Sequence, residues 1–395
     1  IGKMGLFNIA NGSNIVDVEL PEGLTTIKEG AFAMAYTLRK VNFPSTLTSI
    51  GKYAFNAAGA WGKNQTPPFY QTYDLSQTKV TELDNVFGLQ FSVEKMIYPE
   101  TLKTIKGEIG YNAADKFISI TIPTAVETIG YFQGDNLNTI YMKPVVPPTP
   151  ADGNLSINST ATIYVPADAT QPYEAASQWS DYAGQYREQV PVGTTGYTTY
   201  YLENENFKVP TGCTAYIITG ITPSGSIMTP DQAVVKAFGA GKIIPKQTGF
   251  ILQGAANSTV VYQANVTGTE ESVTGNLLIG TATEQEFNAS GYKYYIFSNN
   301  GDEGLGFYKQ GTRNGASIKL AAHRAGLRLP EAIAPAKGFT IDFESARKEA
   351  ETTGIRDVRP TVQPRENVIY DLQGRRVTNP GRGIYIVNGK KVVRE

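Results

Sequence analysis

A set of apolar anchors that recurs along the first third of the chain constrains the fold more than any other feature. A proline, a leucine or valine and an isoleucine return every 23 to 24 residues, with one interval lengthened by an insertion. A unit of this length cannot bury its own apolar face, so neighbouring units must stack and share one core. The sequence therefore predicts a solenoid. The anchors are Pro21, Leu24 and Ile27; Pro44, Leu47 and Ile50; Pro99, Leu102 and Ile105; Pro123, Val126 and Ile129; and an imperfect copy at Leu75, Val80 and Leu83.

A short stretch of alternating residues precedes each proline. In the stretch that ends at Phe43 and in the one that ends at Ile122, apolar residues occupy every second position. This period of two is typical of β-strands, because successive side chains of a strand point to opposite faces. We therefore expect Val41 and Phe43, like Ile120 and Ile122, to face the core.

Two thirteen-residue blocks carry a family resemblance. LPEGLTTIKEGAF (Leu20 to Phe32) and FPSTLTSIGKYAF (Phe43 to Phe55) resemble the BspA-like class of leucine-rich repeat, and the resemblance covers roughly residues 15 to 145. Members of this class often carry a Cys shortly after Ala-Phe, where this chain has Ala35 and Ala58. The resemblance implies a surface protein of Bacteroidetes-type bacteria, with a role in adhesion to host matrix or to other bacteria.

A chain of 395 residues is long enough for two to four domains. The predicted fold class is mainly β: a leucine-rich-repeat solenoid, then a β-sandwich or barrel-like domain, then a short C-terminal β tail. Aromatic residues spaced by three and four from Tyr173 to Tyr186 predict an amphipathic helix that caps the solenoid. The predicted boundaries are 1–146 for the solenoid, 147–192 for the cap with a strand and this helix, 193–345 for a β-rich accessory domain, 346–366 for a linker and 367–395 for the tail.

Two further segments resemble parts of other families. Ile244 to Gly254 and Lys319 to Pro330 resemble an accessory β-domain of gut and oral anaerobes, for which the resemblance implies no activity. The segment from Ile369 to Val387 resembles the end of the C-terminal sorting domain of the type IX secretion pathway. Whether the tail directs export or only completes a sheet stays open.

Composition excludes several classes of protein. The net charge of −1 and the charged fraction of 18% argue against a nucleic-acid binder, which needs concentrated Lys and Arg. One Cys and one His leave no intrachain disulfide and no Cys/His zinc site. We therefore expect no metal and no cofactor.

Location is predicted mainly from the resemblance. The sequence has no apolar run of about 18 residues that would span a bilayer, and it has no signal-peptide-like start. It begins with Ile-Gly-Lys rather than Met, which fits a mature or trimmed chain. We expect a secreted or outer-surface protein.

The sequence contains only poor matches to known catalytic and phosphate-binding motifs. Cys213 and His323 are the one conceivable nucleophile and base, but Cys213 begins a predicted strand and His323 lies in a basic stretch. Gly239-Ala240-Gly241-Lys242 lacks the first Gly and the Ser or Thr of a phosphate loop. We therefore expect a protein that is not an enzyme.

The first candidate binding surface is the outward row of the repeat strands. Solenoids commonly bind partners on such an extended face, although a merely solvated row is an equal alternative. The predicted row consists of Glu19, Asn42, Asp74, Ile97, Thr121 and Tyr141, flanked by Lys40, Lys95 and Thr139.

The second candidate surface is the insertion from Trp61 to Tyr73. It places four aromatic residues in thirteen positions: Trp61, Phe69, Tyr70 and Tyr73. Aromatic rings beside Asn and Gln suit sugar stacking or protein contact. In the alternative, Trp61 and Phe69 fold back and seal the core.

Three functions stay open at this point. The first is a non-catalytic adhesion or binding protein whose partner is a protein or glycan on a host or neighbouring cell surface. The second is a glycan-acting hydrolase with carboxylates in the β-domain, which a pocket holding two close carboxylates with a raised pKa would favour. The third is a purely structural surface component.

Overall fold

The chain divides into two compact units, Ile1–Arg347 and Lys348–Glu395. The computed structural model describes residues 2, 16–89, 92–110, 116–134, 136–151, 153–226, 231–301, 304–334, 339–356, 369–371, 376–378, 381–387 and 390–394. Among these residues, no helix is long and apolar enough to cross a membrane.

The first unit begins with a solenoid of short parallel strands. In chain order these are β1 (Asp17–Glu19), β2 (Thr26–Ile27), β3 (Lys40–Asn42), β4 (Ser49–Ile50), β5 (Gln71–Asp74), β6 (Glu82–Asp84), β7 (Val93–Ile97), β8 (Thr104–Lys106), β9 (Glu108–Ile109), β10 (Ser119–Ile122), β11 (Thr128–Ile129), β12 (Tyr131–Phe132), β13 (Thr139–Met142), β14 (Thr149–Pro150) and β15 (Thr162–Tyr164). They make about seven turns, which confirms the predicted mainly β solenoid.

Equivalent strands of successive turns pair side by side. The strand before each repeat's proline forms the ladders β1-β3, β5-β7 and β10-β13-β15, and the strand after it forms β2-β4 and β6-β8-β11-β14. A third, short ladder joins β9 to β12. Because the pairing is in register, equivalent positions of neighbouring turns lie next to each other, as Ile120, Ile140 and Ile163 do.

The repeat anchors form one continuous core inside the solenoid. Ile27, Leu47, Leu102 and Ile129 are fully buried, while Leu24 is partly buried. Phenylalanines stack through the turns, with ring centroids 4.9 Å apart for Phe32 and Phe55 and 5.9 Å apart for Phe55 and Phe87. Each such burial contributes about 1.5–3 kcal/mol.

Glycine lets the backbones of adjacent turns approach closely after the isoleucine anchor. A Cβ atom at Gly130 would overlap the carbonyl oxygen of Gly107 in the preceding turn. A Cβ atom at Gly51 would similarly overlap the backbone of Glu29. The stacking distance between these turns therefore depends on the missing side chain.

The end of the solenoid differs from the prediction. The prediction of an amphipathic helix from Tyr173 to Tyr186 is wrong. Helix α1 spans only Thr170–Ala175, and a 3₁₀ turn follows at Ser180–Tyr182. Tyr186 already begins a strand. The aromatic side chains still cover the core end. Trp179 is 1% exposed and donates its indole N–H to the carbonyl oxygen of Pro148 at 2.8 Å. The spacing of three and four reflects irregular backbone wrapped over an apolar end.

The rest of the first unit is a β-rich region. Its strands are β16 (Tyr186–Val192), β17 (Tyr197–Tyr200), β18 (Phe207–Lys208), β19 (Thr214–Thr222), β20 (Asp231–Phe238), β21 (Ile243–Ile244), β22 (Phe250–Gln253), β23 (Ser258–Tyr262), β24 (Leu278–Thr281), β25 (Gln285–Phe287), β26 (Tyr292–Gly301), β27 (Gly304–Tyr308), β28 (Ile318–Leu320), β29 (Arg324–Pro330) and β30 (Phe339–Thr340).

Strand β16 joins the solenoid to this region. It pairs parallel to β15 and antiparallel to β23, so that one sheet runs β10-β13-β15-β16-β23. Two further sheets, one of five strands (β17-β22-β19-β20-β30) and one of four (β24-β29-β26-β27), lie beyond it. They share a core that contains Tyr216, Ile251, Tyr295 and Leu327.

The predicted linker is helical where the structure describes it. Helix α2 spans Phe343–Arg356, so residues 346–356 of the predicted linker are helical. The Phe343 ring anchors the start of this helix by stacking on Tyr197 at 4.6 Å. Residues 357–366 of the predicted linker lie outside the described residues.

The second unit contains a small antiparallel sheet. Its strands are β31 (Ile369–Tyr370), β32 (Arg376–Val377), β33 (Gly383–Val387) and β34 (Lys390–Arg394), in the order β32-β31-β33-β34. Residues 367–368, 372–375, 379–380, 388–389 and 395 of the predicted tail lie outside the described residues.

Candidate functional site

The predicted outward row lies on one face of the solenoid. Strand pairing places Glu19 beside Asn42, Asp74 beside Ile97, and Thr121 beside Tyr141. Between them, alternate residues such as Val41 and Ile120 are buried, so the period of two sets the direction of each side chain. We call this surface the repeat face: Glu19, Asn42, Asp74, Ile97, Thr121, Tyr141 and Tyr164. All seven are exposed except Ile97 and Tyr164, which are half-buried.

Tyr164 is a member that sequence reasoning missed. Its strand β15 continues the ladder, and the register places Tyr164 next to Tyr141. The two rings are stacked, with centroids 4.8 Å apart and an interplanar angle of 13°. The signal was present, since Ile163-Tyr164-Val165-Pro166 repeats the alternation before a proline.

A groove of about 590 Å³ runs along this tyrosine pair. We call it the tyrosine groove, and define it by Thr121, Thr124, Tyr141, Lys143, Tyr164 and Gln189. Of these six, Lys143 alone is charged, and its Nζ lies 2.7 Å from Oε1 of Glu100. The lining therefore combines aromatic area with polar groups and a charge that is already paired.

The insertion contacts residues that precede β3 and β10. Trp61 stacks on Tyr36 with centroids 4.9 Å apart, yet it remains 45% exposed and does not seal the core. Arg39 lies over the ring of Phe69 at 5.0 Å, and Lys116 over the ring of Tyr70 at 4.3 Å. Cation–π contacts of this kind restrict both rings, which are half-buried.

Tyr73 is wrongly assigned to the binding surface. It is 2% exposed and its ring packs against Phe87 and Phe55, with centroids 4.8 and 5.4 Å away. The reason is strand alternation, because Tyr73 already belongs to β5, where Thr72 and Asp74 take the outward positions. Burial raises the pKa of the Tyr73 hydroxyl well above its usual value.

Buried acids lie where the solenoid meets the β-rich region. We call Asp168, Glu188 and Glu205 the acid cluster; their exposures are 7%, 0% and 1%. Glu188 accepts hydrogen bonds from the Thr170 hydroxyl at 2.8 Å and from the Tyr262 hydroxyl at 2.6 Å. Glu205 accepts one from the backbone N–H of Gln171 at 2.5 Å.

Glu205 holds a proton at neutral pH. Burial raises the pKa of Glu205 to about 10, and the neighbouring Glu188 carboxyl adds to the rise. Burial also raises the pKa of Glu188, against the opposing effect of its hydrogen bonds. A shared proton between these carboxyls relieves their repulsion.

The position of this acid pair does not suit glycan hydrolysis. Neither Glu188 nor Glu205 lines the tyrosine groove, the cavity of about 300 Å³ beside Arg187, or the cavity of about 610 Å³ beside Tyr197. Hydrolysis requires both acids to flank a bound sugar. The pair instead connects elements inside the fold.

Cys213 and His323 are held separately by their own surroundings. Cys213 packs against the core of the β-rich region, and burial raises the pKa of its thiol, which disfavours the reactive thiolate. Nδ1 of His323 lies 3.2 Å from the carbonyl oxygen of Tyr201 and 3.6 Å from Oδ2 of Asp168. Within the described part of the chain, no cluster of three or more His, Cys, Asp or Glu residues has the geometry to hold a metal ion.

Residues 5–137 match the BspA type leucine rich repeat region in six copies. No curated protein matches the chain in sequence. Residues 5–137 are thus similar to BspA-type leucine-rich repeats, a class that is generally non-enzymatic and suggests interaction with proteins.

Proposed function

We propose that this chain is a non-catalytic binding protein, secreted or held at the outer cell surface, whose repeat face recognises a protein or glycan partner. One observation carries the proposal. In-register parallel strands bring outward residues of successive turns onto one face, which ends in the stacked Tyr141 and Tyr164.

The composition of this face supports recognition rather than solvation alone. Exposed aromatic residues supply broad contact area at a low cost in side-chain entropy, and they dominate many interfaces. Tyr141 on the repeat face is 36% exposed and Trp61 on the insertion is 45% exposed, and each is already oriented by stacking on another ring. Because the rings are pre-ordered, less conformational freedom is lost when a partner binds.

Location is proposed from resemblance and composition. The repeats resemble those of adhesive surface proteins, and the segment from Ile369 to Val387 resembles a type IX secretion sorting signal. The low charged fraction of 18% fits an exported surface. These observations support a partner on a host or neighbouring cell.

The test is a binding screen against a glycan array and a panel of extracellular matrix proteins. Asn42→Arg and Tyr141→Ala probe the repeat face, and Trp61→Ala probes the insertion, the second candidate surface. Tyr53→Ala serves as a matched control, since Tyr53 is 48% exposed but lies outside the repeat face. The proposal expects a ligand whose binding is lost in at least one repeat-face variant and kept in the control.

Thermal unfolding of each variant separates lost binding from lost structure. All four positions are exposed, so the melting temperatures should match that of the parent chain. A ligand that binds both repeat-face variants as tightly as the parent would refute the proposed face.

A further inference from the structure

The tyrosine stack on the repeat face ends above a small residue. Tyr141 stacks on Tyr164 on one side, and its register partner on the other side is Thr121 of β10. Neighbouring strands are about 4.8 Å apart, which is also the separation of the two ring centroids. A ring placed above Thr121 would therefore continue the stack at the same spacing.

The Tyr141 ring is accessible on that side. It is 36% exposed, and together with Thr121 and Thr124 it lines the tyrosine groove. The Thr side chain is too short to cover a phenol face. The groove volume of about 590 Å³ accommodates a ligand larger than one six-membered ring.

Apart from Lys143, the polar groups around this ring face are uncharged. They are the hydroxyls of Thr121 and Thr124 and the amide of Gln189, which line the groove. Lys143 is already paired with Glu100. An anionic ligand would have to break this ion pair, whereas neutral hydroxyls would meet both donors and acceptors.

We propose that the tyrosine groove binds a neutral glycan, with one pyranose ring stacked on Tyr141 above Thr121. This inference rests on the proposed function, since it names the ligand class for one end of the repeat face. A pyranose presents an apolar face of C–H groups and a rim of hydroxyls. The ring face of Tyr141 matches the first, and Thr121, Thr124 and Gln189 match the second.

The probes are neutral hexasaccharides of β-linked glucose, xylose and mannose, with hyaluronan and sialyllactose as anionic counterparts. Affinities are measured by isothermal titration calorimetry on the full chain. Thr121→Tyr fills the open place in the stack, Tyr141→Ala removes the platform, and Tyr141→Phe keeps the ring. Tyr53→Ala again serves as the exposed control.

The proposal expects at least one neutral hexasaccharide to bind, with affinity reduced at least about tenfold by Thr121→Tyr and by Tyr141→Ala. Tyr141→Phe and Tyr53→Ala should stay within about threefold of the parent. Thr121→Val keeps a short side chain but removes one hydroxyl of the site, so it should bind more weakly than the parent and more tightly than Thr121→Tyr. If Thr121→Tyr proves unstable, the comparison of Tyr141→Ala with Tyr141→Phe decides alone.

Three results would overturn the inference: no neutral hexasaccharide binds, only the anionic probes bind, or binding survives both Thr121→Tyr and Tyr141→Ala. Its failure differs from failure of the proposed function. If Asn42→Arg loses a protein ligand and no neutral glycan binds, the repeat face is supported and the glycan site is refuted. If glycan binding depends on Thr121 and Tyr141 and no other ligand is found, recognition is confined to the tyrosine groove.

Discussion

The proton held by the acid cluster makes stability fall as pH rises. The pKa of Glu205 is about 10 in the folded chain, against an ordinary value of 4.5 that we take for the unfolded chain. The folded state therefore holds a proton that the unfolded state releases. This stabilising contribution is fully present below about pH 4.5 and is lost as pH rises toward about 10.

The size of the effect follows from the number of protons. One proton retained on folding gives a slope of about 1.4 kcal/mol of unfolding free energy per pH unit. Between pH 5.5 and pH 8 the upper limit for this one proton is thus about 3.5 kcal/mol. Water penetration and relaxation around a buried charge reduce such limits, so we expect a loss of about 1–3 kcal/mol.

The perturbation is Glu205→Gln, which keeps the shape and removes the titration. We expect the variant to be at least as stable as the parent at pH 8 and to show a clearly smaller slope. Some slope should remain, because burial also raises the pKa of Glu188. Glu127→Gln is the control, since the Glu127 side chain is 72% exposed.

Urea unfolding followed by far-ultraviolet circular dichroism, at intervals from pH 5.5 to pH 8, measures the slopes. Agreement of the transition with tryptophan fluorescence tests whether the unit unfolds in one step. Parallel pH profiles of the parent chain and Glu205→Gln would refute a proton held at Glu205. So would a parent chain whose stability rises across this range.

Three further substitutions test the packing of the solenoid by thermal or urea unfolding. Phe55→Ala removes the middle ring of the phenylalanine stack and should cost about 3–5 kcal/mol; a cost below about 1 kcal/mol would contradict a close-packed core. Gly130→Ala forces a methyl group into the Gly107 carbonyl and should cost about 1–3 kcal/mol, and a neutral effect would contradict the close approach of these turns. Trp179→Phe leaves the carbonyl oxygen of Pro148 without its donor and should cost about 1–3 kcal/mol, with Trp61→Phe as the exposed comparison.

Much of the solenoid was predictable because two periods act together. The repeat of 23 to 24 residues aligns the turns, and the alternation within a strand decides which side chains face out. Together they gave the outward positions of Asn42, Thr121 and Tyr141. The same alternation, applied to Tyr73, would have placed it in the core, but its position beside the insertion drew attention to its ring instead.

Other features depend on tertiary contacts that the sequence does not display. Aromatic residues at spacings of three and four suggest a helix, yet irregular backbone covers the solenoid end with the same side chains. Glu188 and Glu205 stand apart from each other in sequence, and only the folding of the β-rich region onto the cap brings them together. Their raised pKa values therefore have no sequence signature.

The two-sided pairing of β16 restricts how the number of repeats can change. One edge of β16 accepts β15 in parallel and the other edge accepts β23 in antiparallel, so β15 presents no free edge to a further turn. A turn duplicated or deleted upstream of β13 keeps this junction, since every turn offers its neighbour the same ladder. A turn inserted between α1 and β16 separates Thr170 from Glu188, whose carboxylate accepts its hydroxyl hydrogen bond, and opens the acid cluster. Gain and loss of repeats during evolution are therefore expected toward the N-terminal side, while the last turn and the β-rich region are inherited together.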